Sequence, residues 1–150
     1  MSDNLLTPRF ALPMLSVAQA QKETTHNEAL VLIDALLHAA VVDGPLATPP
    51  EDPAAGDCWI VDEAAIGAWA GEADRLALWT AGGWRFVAPS PGMRVRRISD
   101  GATLLFNGSG WTVPIAIANP EGGATIDLEA RAAIDALLAL MVAHGIMIAG

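Results

Sequence analysis

Two segments of this 150-residue chain share one pattern: an apolar stretch ends in an aromatic residue, and a Gly-rich turn leads into a tryptophan. They are residues 76–87 (LALWTAGGWRFV) and, 27 positions later, residues 103–113 (TLLFNGSGWTV). Glycine supplies the positive φ angles that tight hairpins require, and aromatic residues that face each other near a turn fix the strand register. The repeat therefore predicts two β-hairpins.

Further strands are expected around these hairpins. Residues 92–99 fit one strand, with Met93, Val95 and Arg97 on one face, and residues 58–62 fit another. Together the strands predict an antiparallel β-meander of five or six strands, forming a small curled sheet or barrel. The lone cysteine, Cys58, lies in an apolar run and is expected to be an inert buried thiol.

All five tryptophans of the chain lie in this β-rich region. We expect Trp59, Trp84 and Trp111 to fill the core, because a small β-domain needs large apolar side chains. Trp69 lies in an Ala- and Gly-rich excursion, and we expect it to be the most exposed of the five. The alternative is that exposed Trp faces form a platform on which sugars stack.

An amphipathic helix of about six turns is predicted before the β-region. It is expected to begin near Ser16 or Ala18, or at a capping box of Thr25 and Glu28, and to end before Gly44. Steps of three and four residues define one seam along it, which is polar in its first half and aliphatic in its second. The seam residues predicted to serve oligomerisation or anchoring are Gln19, Lys22, His26, Ala29, Ile33 and Leu36, and Ala40 extends the same spacing.

The two ends of the chain are also patterned. Residues 1–18 carry too many apolar groups for a solvated tail, so an extended arm is expected to lie on its own domain or on a neighbour. Near the other end, Asp127 is expected to cap a second helix and Gly145 to end it. Its apolar stripe contains Ile134, Leu137, Leu138 and Met141, and its opposite face is largely alanine.

Composition excludes several classes of function. The net charge of −9 disfavours nucleic-acid binding, since phosphate neutralisation needs clustered Lys and Arg. The three histidines, His26, His38 and His144, form no metal-ligand pattern, so no metal and no cofactor are expected. No apolar run is long enough for membrane insertion. A hydrophobic fraction of 53% with only 17% charged residues favours self-association.

Several motifs resemble an uncharacterised domain family of phages, prophages and gene transfer agents. They are residues 8–15 (PRFALPML), 18–22 (AQAQK), 26–30 (HNEAL) and 34–36 (DAL), and the likeness continues through residues 53–61, 67–71 and the Gly-Trp repeat. It covers most of residues 5–113, although Glu23 and Thr24 depart from the family's usual basic-plus-valine step. The resemblance implies a place in a particle appendage such as a tail fibre or spike, with no catalytic residue to transfer.

These observations predict an α+β fold, and the resemblance to fibre proteins implies that it assembles as a trimer. We divide the chain into an N-terminal arm and helix (1–43), a Pro-rich linker (44–57), the β-meander (58–113), and a second linker with the C-terminal helix (114–150). The expected function is structural: a homotrimeric appendage component that is not an enzyme, attaches to other virion, tail or baseplate proteins and presents a host-contacting region. The expected location is a virion or phage-like particle, assembled in the cytoplasm without a signal peptide.

Two alternatives remain at this point. The first is a glycan-binding module of such an appendage, in which Trp69 and Asn107 contact host-surface polysaccharide. The second is a small glycan-cleaving enzyme using Glu72 or Asp74, although paired carboxylates in loops beside Ala and Gly are more typical of solvated charge.

Overall fold

The computed structural model describes residues 6–8, 12, 14–15, 22–123 and 127–149, with the backbone alone described for residues 22–25. The predicted helix start near Ser16 or Ala18 and the seam residue Gln19 lie outside the described residues, as does the side chain of Lys22. The chain divides into two compact units, Met1–Pro89 and Ser90–Gly150.

The first unit contains a helix, five strands and a short 3₁₀-helix. In chain order these are α1 (Lys22–Leu36), β1 (Ala40–Val41), β2 (Asp43–Leu46), β3 (Cys58–Val61), the 3₁₀-helix (Gly67–Trp69), β4 (Leu76–Thr80) and β5 (Gly83–Val87). Strands β2, β3, β4 and β5 are neighbours in that order. β2 runs parallel to β3, whereas the other two pairings are antiparallel.

The second unit contains β6 (Arg94–Arg97), β7 (Thr103–Phe106), β8 (Trp111–Thr112) and α2 (Leu128–Ala143). β6, β7 and β8 pair antiparallel in that order. The α+β class is therefore confirmed, with helices before and after a Trp-rich β-region. The strands fall into two sheets, and within the described residues neither sheet closes into a barrel.

Both predicted hairpins are present, one in each unit. In the first, Trp79 pairs with Trp84, and their ring centroids are 4.8 Å apart. In the second, Phe106 pairs with Trp111 at a centroid distance of 5.4 Å. The aromatic pairs next to the Gly-rich turns thus occupy equivalent positions in the two hairpins, as the sequence repeat predicts.

The prediction that Trp69 is exposed is wrong, because its side chain is completely buried. Gly67 has a φ of 62°, a value that favours glycine, and the 3₁₀-helix that begins there brings Trp69 into the core. The Trp69 ring lies edge-on to Trp84 at a centroid distance of 5.1 Å and 6.4 Å from Trp59. The Gly-rich segment around Trp69 therefore places this tryptophan in the core of the first unit.

Helix α1 ends at Leu36, earlier than the predicted six turns, and its 15 residues make about four turns. His38, with a φ of 49°, takes the left-handed conformation that typically follows a helix end. The chain then becomes extended in β1, where the β-branched Val41 is fully buried. Ala40, the last position of the predicted seam, consequently lies on a strand.

Helix α2 begins and ends as the sequence predicts. The Oδ1 atom of Asp127 accepts a 2.9 Å hydrogen bond from the backbone N–H of Ala130. At the other end, the N–H of Gly145 donates to the Val142 carbonyl and the N–H of Ile146 to the Met141 carbonyl, which together form a Schellman motif. No helix among the described residues is long and apolar enough to cross a membrane.

One ion pair in the second unit changes a pKa. The guanidinium of Arg97 lies 2.6 Å from the Asp100 carboxylate, just after β6. Hydrogen bonding from Arg97 to the charged form holds the pKa of Asp100 below its ordinary value, and the backbone N–H of Ala102 adds to this effect. This ion pair links the last residue of β6 to the loop that leads to β7.

Candidate functional site

Two described arm residues, Thr7 and Leu15, bind to α1 of the same chain, so this part of the arm lies on its own domain, one of the two locations that the sequence left open. The hydroxyl of Thr7 donates a 2.7 Å hydrogen bond to Oδ1 of Asp34, and both side chains are buried. The same hydroxyl accepts a hydrogen bond from the backbone N–H of Leu12, while the N–H of Thr7 donates to the Leu12 carbonyl. Thr7 therefore binds both Leu12 of the arm and Asp34 of α1.

A second attachment uses the side-chain amide of Asn27. Its Nδ2 donates to the carbonyl of Leu15 at 3.1 Å, and its Oδ1 accepts from the N–H of Leu15 at 2.9 Å. This two-point contact binds the backbone of one arm residue in a single orientation. Thr7 is held at Asp34 and Leu15 at Asn27, seven residues earlier on α1, so these two contacts follow one another in the direction opposite to the helix.

Helix α1 is also tied to the first hairpin. The Glu28 carboxylate lies 3.1 Å from the Arg85 guanidinium on β5, and both side chains are largely exposed. An exposed ion pair contributes at most about 1 kcal/mol, so its main effect is to orient the helix. Beside it lies a mainly apolar cavity of about 350 Å³, whose walls include Met14, Val31 and Leu32.

The face of α1 that points away from these contacts is the predicted seam. Its described members His26, Ala29, Ile33 and Leu36 are all exposed, as is the adjacent Leu37. Ile33 keeps 49% of its surface accessible and Leu37 keeps 45%, whereas Asp34 and Ala35 on other faces are buried. Residues 26, 29, 33 and 36 follow the alternating three- and four-residue spacing of a coiled-coil seam. The aliphatic half of the seam is thus a helical surface that the rest of the described chain leaves open.

The two residues predicted to contact glycan both have structural roles. Trp69 belongs to the first unit and Asn107 to the second. The buried Trp69 ring offers no face on which a sugar could stack. Oδ1 of Asn107 accepts hydrogen bonds from the N–H groups of Ser109 and Gly110, so this side chain shapes the turn of the second hairpin.

The loop carboxylates of the enzyme alternative occupy ordinary structural positions. Glu72 lies 3.0 Å from the guanidinium of Arg75, an ion pair between residues three apart. Asp74 takes a left-handed backbone conformation with a φ of 62° just before β4. Among the described residues there is no group of three or more His, Cys, Asp or Glu side chains that could hold a metal ion.

The sequence pattern did not reveal Thr7, Asn27 and Asp34 as the residues that hold the arm. A signal for two of them was present, because Asn27 and Asp34 are seven residues apart and so share one face of a helix. Asp34 is the single polar residue of the apolar run 29–37, and a buried polar group requires a hydrogen-bond partner. The identity of that partner could not be read from the spacing.

Replacing Thr7 with valine should weaken the attachment of the arm. Valine keeps the shape of threonine but removes the hydroxyl that donates to Asp34 and accepts from Leu12. We expect a loss of about 1–3 kcal/mol in the free energy of unfolding of the first unit. Urea denaturation, monitored by tryptophan fluorescence, measures this change in stability. The rate at which a protease cleaves the arm measures how firmly the arm is attached.

The matched control is Thr112→Val, which makes the same replacement at an exposed position on β8. It should change stability by less than about 0.5 kcal/mol. Equal effects of the two variants would show that the hydroxyl of Thr7 does not fasten the arm.

Comparison with protein-family sequence models gives a match. The sequence model of a family described as a protein of unknown function, DUF2793, matches residues 26–112. This range covers more than half of the chain, from His26 in α1 to the last residue of β8, and leaves the described arm residues and α2 outside. No curated protein matches the chain. The chain therefore belongs to the DUF2793 family.

Proposed function

We propose that this chain is a structural component of a phage-like particle appendage, a tail fibre or spike, and that it assembles there as a homotrimer. Its arm and α1 anchor the assembly to other virion, tail or baseplate proteins, and the β-strands and their turns lie toward the host. The resemblance of residues 26–30 and the neighbouring motifs to appendage proteins supports the particle setting.

The observation that carries the proposal is the open seam of α1. Exposed isoleucine and leucine at coiled-coil spacing indicate a surface that another helix covers. Another side of α1 is already occupied by the chain's own arm through Asn27 and Asp34. A helix with one face used internally and an apolar face left open suits a position between subunits.

The proposal predicts that Ile33→Glu dissociates the assembly. In a three-fold seam the substitution brings three carboxylates together in an apolar environment, which weakens association by about 100-fold or more. Light scattering should give a native mass of three times the 15.6 kDa protomer for the unmodified chain and a lower mass for the variant.

Ile66→Glu is the matched control, because Ile66 is also an exposed isoleucine of the first unit but lies outside α1. It should leave the native mass unchanged. An unmodified chain that is monomeric at every concentration tested would refute the trimer.

The particle setting needs its own experiment. Particles from cells that encode the chain are purified on a density gradient and labelled with an antibody against it. Labelling confined to appendages in electron micrographs is the expected result. Chain that remains entirely at the top of the gradient, away from particles that contain their other structural proteins, would contradict the proposal.

A further inference from the structure

Helix α2 in the second unit carries an extended exposed apolar surface. None of the 16 residues of this helix is buried. Twelve are exposed, and ten of those twelve are Ala, Leu or Ile. Leu128 keeps 71% of its surface accessible, Leu137 keeps 59% and Leu140 keeps 54%. A helix that is apolar almost all round is normally covered by other protein.

The exposed apolar surface is wider than one partner helix covers. At 100° per residue, Arg131, Leu138, Met141 and Val142, which are half-buried, lie within about 100° of one another. The arc from Ala130 round to Leu128 on the remaining side spans about 200°, and Glu129 is the one charged residue of α2 within it. One helix–helix contact uses a stripe of about 100°, so α2 has room for two neighbouring helices.

The pattern within this arc fits identical helices side by side. Ala130, Ala133, Leu137, Leu140 and His144 follow alternating steps of three and four. In parallel copies that are in register, Ala packs against Ala and Leu against Leu. A single rotation axis then gives every copy the same contacts.

Charge and length disfavour a lipid surface as the covering partner. The exposed charged residues of α2 are Glu129 and Asp135, both acidic, in a chain of net charge −9. Helices that lie on anionic membranes carry Lys and Arg on their polar face. Sixteen residues make a helix of about 24 Å, shorter than the hydrocarbon core of a bilayer.

We infer that α2 is a second self-association helix, on which two further copies of this chain pack their own α2 in parallel and in register. This inference rests on the self-association in the proposed function but not on the seam of α1. α2 lies in the other unit and outside the residues that match the family. The chain then carries one self-association helix in each unit.

Cysteine cross-linking of the full-length chain tests the inference. A disulfide requires Cα atoms within about 7 Å, a separation that parallel helices reach at seam positions and not on their outer sides. Leu137→Cys should therefore give a covalent dimer band under mild oxidation. Asp135→Cys, on the far side of the helix from the seam, should give several-fold less. Both variants retain the buried Cys58, so any disulfide that Cys58 forms contributes equally to the two cross-linking yields.

The outcomes separate this inference from the proposed function. Equal cross-linking of the two variants would overturn the role of α2, and if Ile33→Glu still dissociates the trimer, the proposed function stands. Preferential cross-linking at position 137 supports the role of α2, whatever the result for Ile33→Glu. If Ile33→Glu leaves the native mass unchanged, that result counts against the α1 seam and not against α2. Leu137→Glu combined with Leu140→Glu should lower the native mass, and an unchanged mass would also count against α2.

Discussion

Replacing Trp69 with alanine should lower the free energy of unfolding of the first unit by about 3–5 kcal/mol. The side chain has no exposed surface and packs against Trp59 and Trp84, so truncation leaves a large cavity between aromatic rings. Because the domain stability of most proteins is only about 5–15 kcal/mol, this one change could unfold the unit at moderate temperature. Urea denaturation followed by circular dichroism at the tryptophan bands measures it.

Two further variants show whether the effect comes from packing. Trp69→Phe keeps an aromatic ring and removes an indole N–H that has no hydrogen-bond partner among the described residues. It should therefore cost much less, about 1–2 kcal/mol. Ile66→Ala, three residues away and 58% exposed, should change stability by less than about 1 kcal/mol. If Trp69→Ala were no worse than Ile66→Ala, the tryptophan cluster would not be the core of this unit.

The hairpins show why part of the fold could be predicted from the sequence. Their register depends on contacts only a few residues apart, because Trp79 faces Trp84 across a two-residue turn. The caps of α2 are local in the same way: Asp127 binds the N–H of a residue three positions ahead, and Gly145 closes the preceding turn. Such features need no knowledge of the rest of the chain.

The features that the sequence did not reveal depend on contacts between distant segments. The Gly-rich excursion around Trp69 has the composition of a surface loop, and its burial follows from Trp59 and Trp84, which lie on two separate strands. The parallel pairing of β2 with β3 joins strands separated by a Pro-rich connection. In each case tertiary packing overrides the local pattern.

The same distinction between local and distant contacts applies to the candidate surface on α1. The spacing of residues 26, 29, 33 and 36 predicted a shared face from helix geometry alone, and the structure leaves that face exposed. The partner of Asn27 is a backbone group 12 residues away, and the partner of Asp34 is a hydroxyl 27 residues away. Periodicity identifies the face of a helix, whereas it does not identify the segment that lies on it.

Replacing Gly145 with alanine should destabilise the attachment of α2 to β7. Gly145 has a φ of 68°, where an L-residue costs about 1–2 kcal/mol. An added Cβ would also collide with the carbonyl oxygen of Gly101 and lie 2.9 Å from the hydroxyl of Thr103. Overpacking of this kind costs about 1–3 kcal/mol, so the sum is about 2–5 kcal/mol.

Hydrogen exchange at the backbone N–H of Thr103 measures this prediction, because that group donates a 2.7 Å hydrogen bond to the Gly145 carbonyl. A loss of about 3 kcal/mol raises its exchange rate by about 100-fold. Gly122→Ala is the control: Gly122 has a nearly identical φ of 72° but nothing within 4 Å of an added Cβ. It carries the backbone cost without the collision and should leave Thr103 protected. If both variants exposed Thr103 equally, the close approach of Gly145 to the strand would not be what fixes the end of α2, and the orientation in which α2 presents its apolar arc would depend on other contacts.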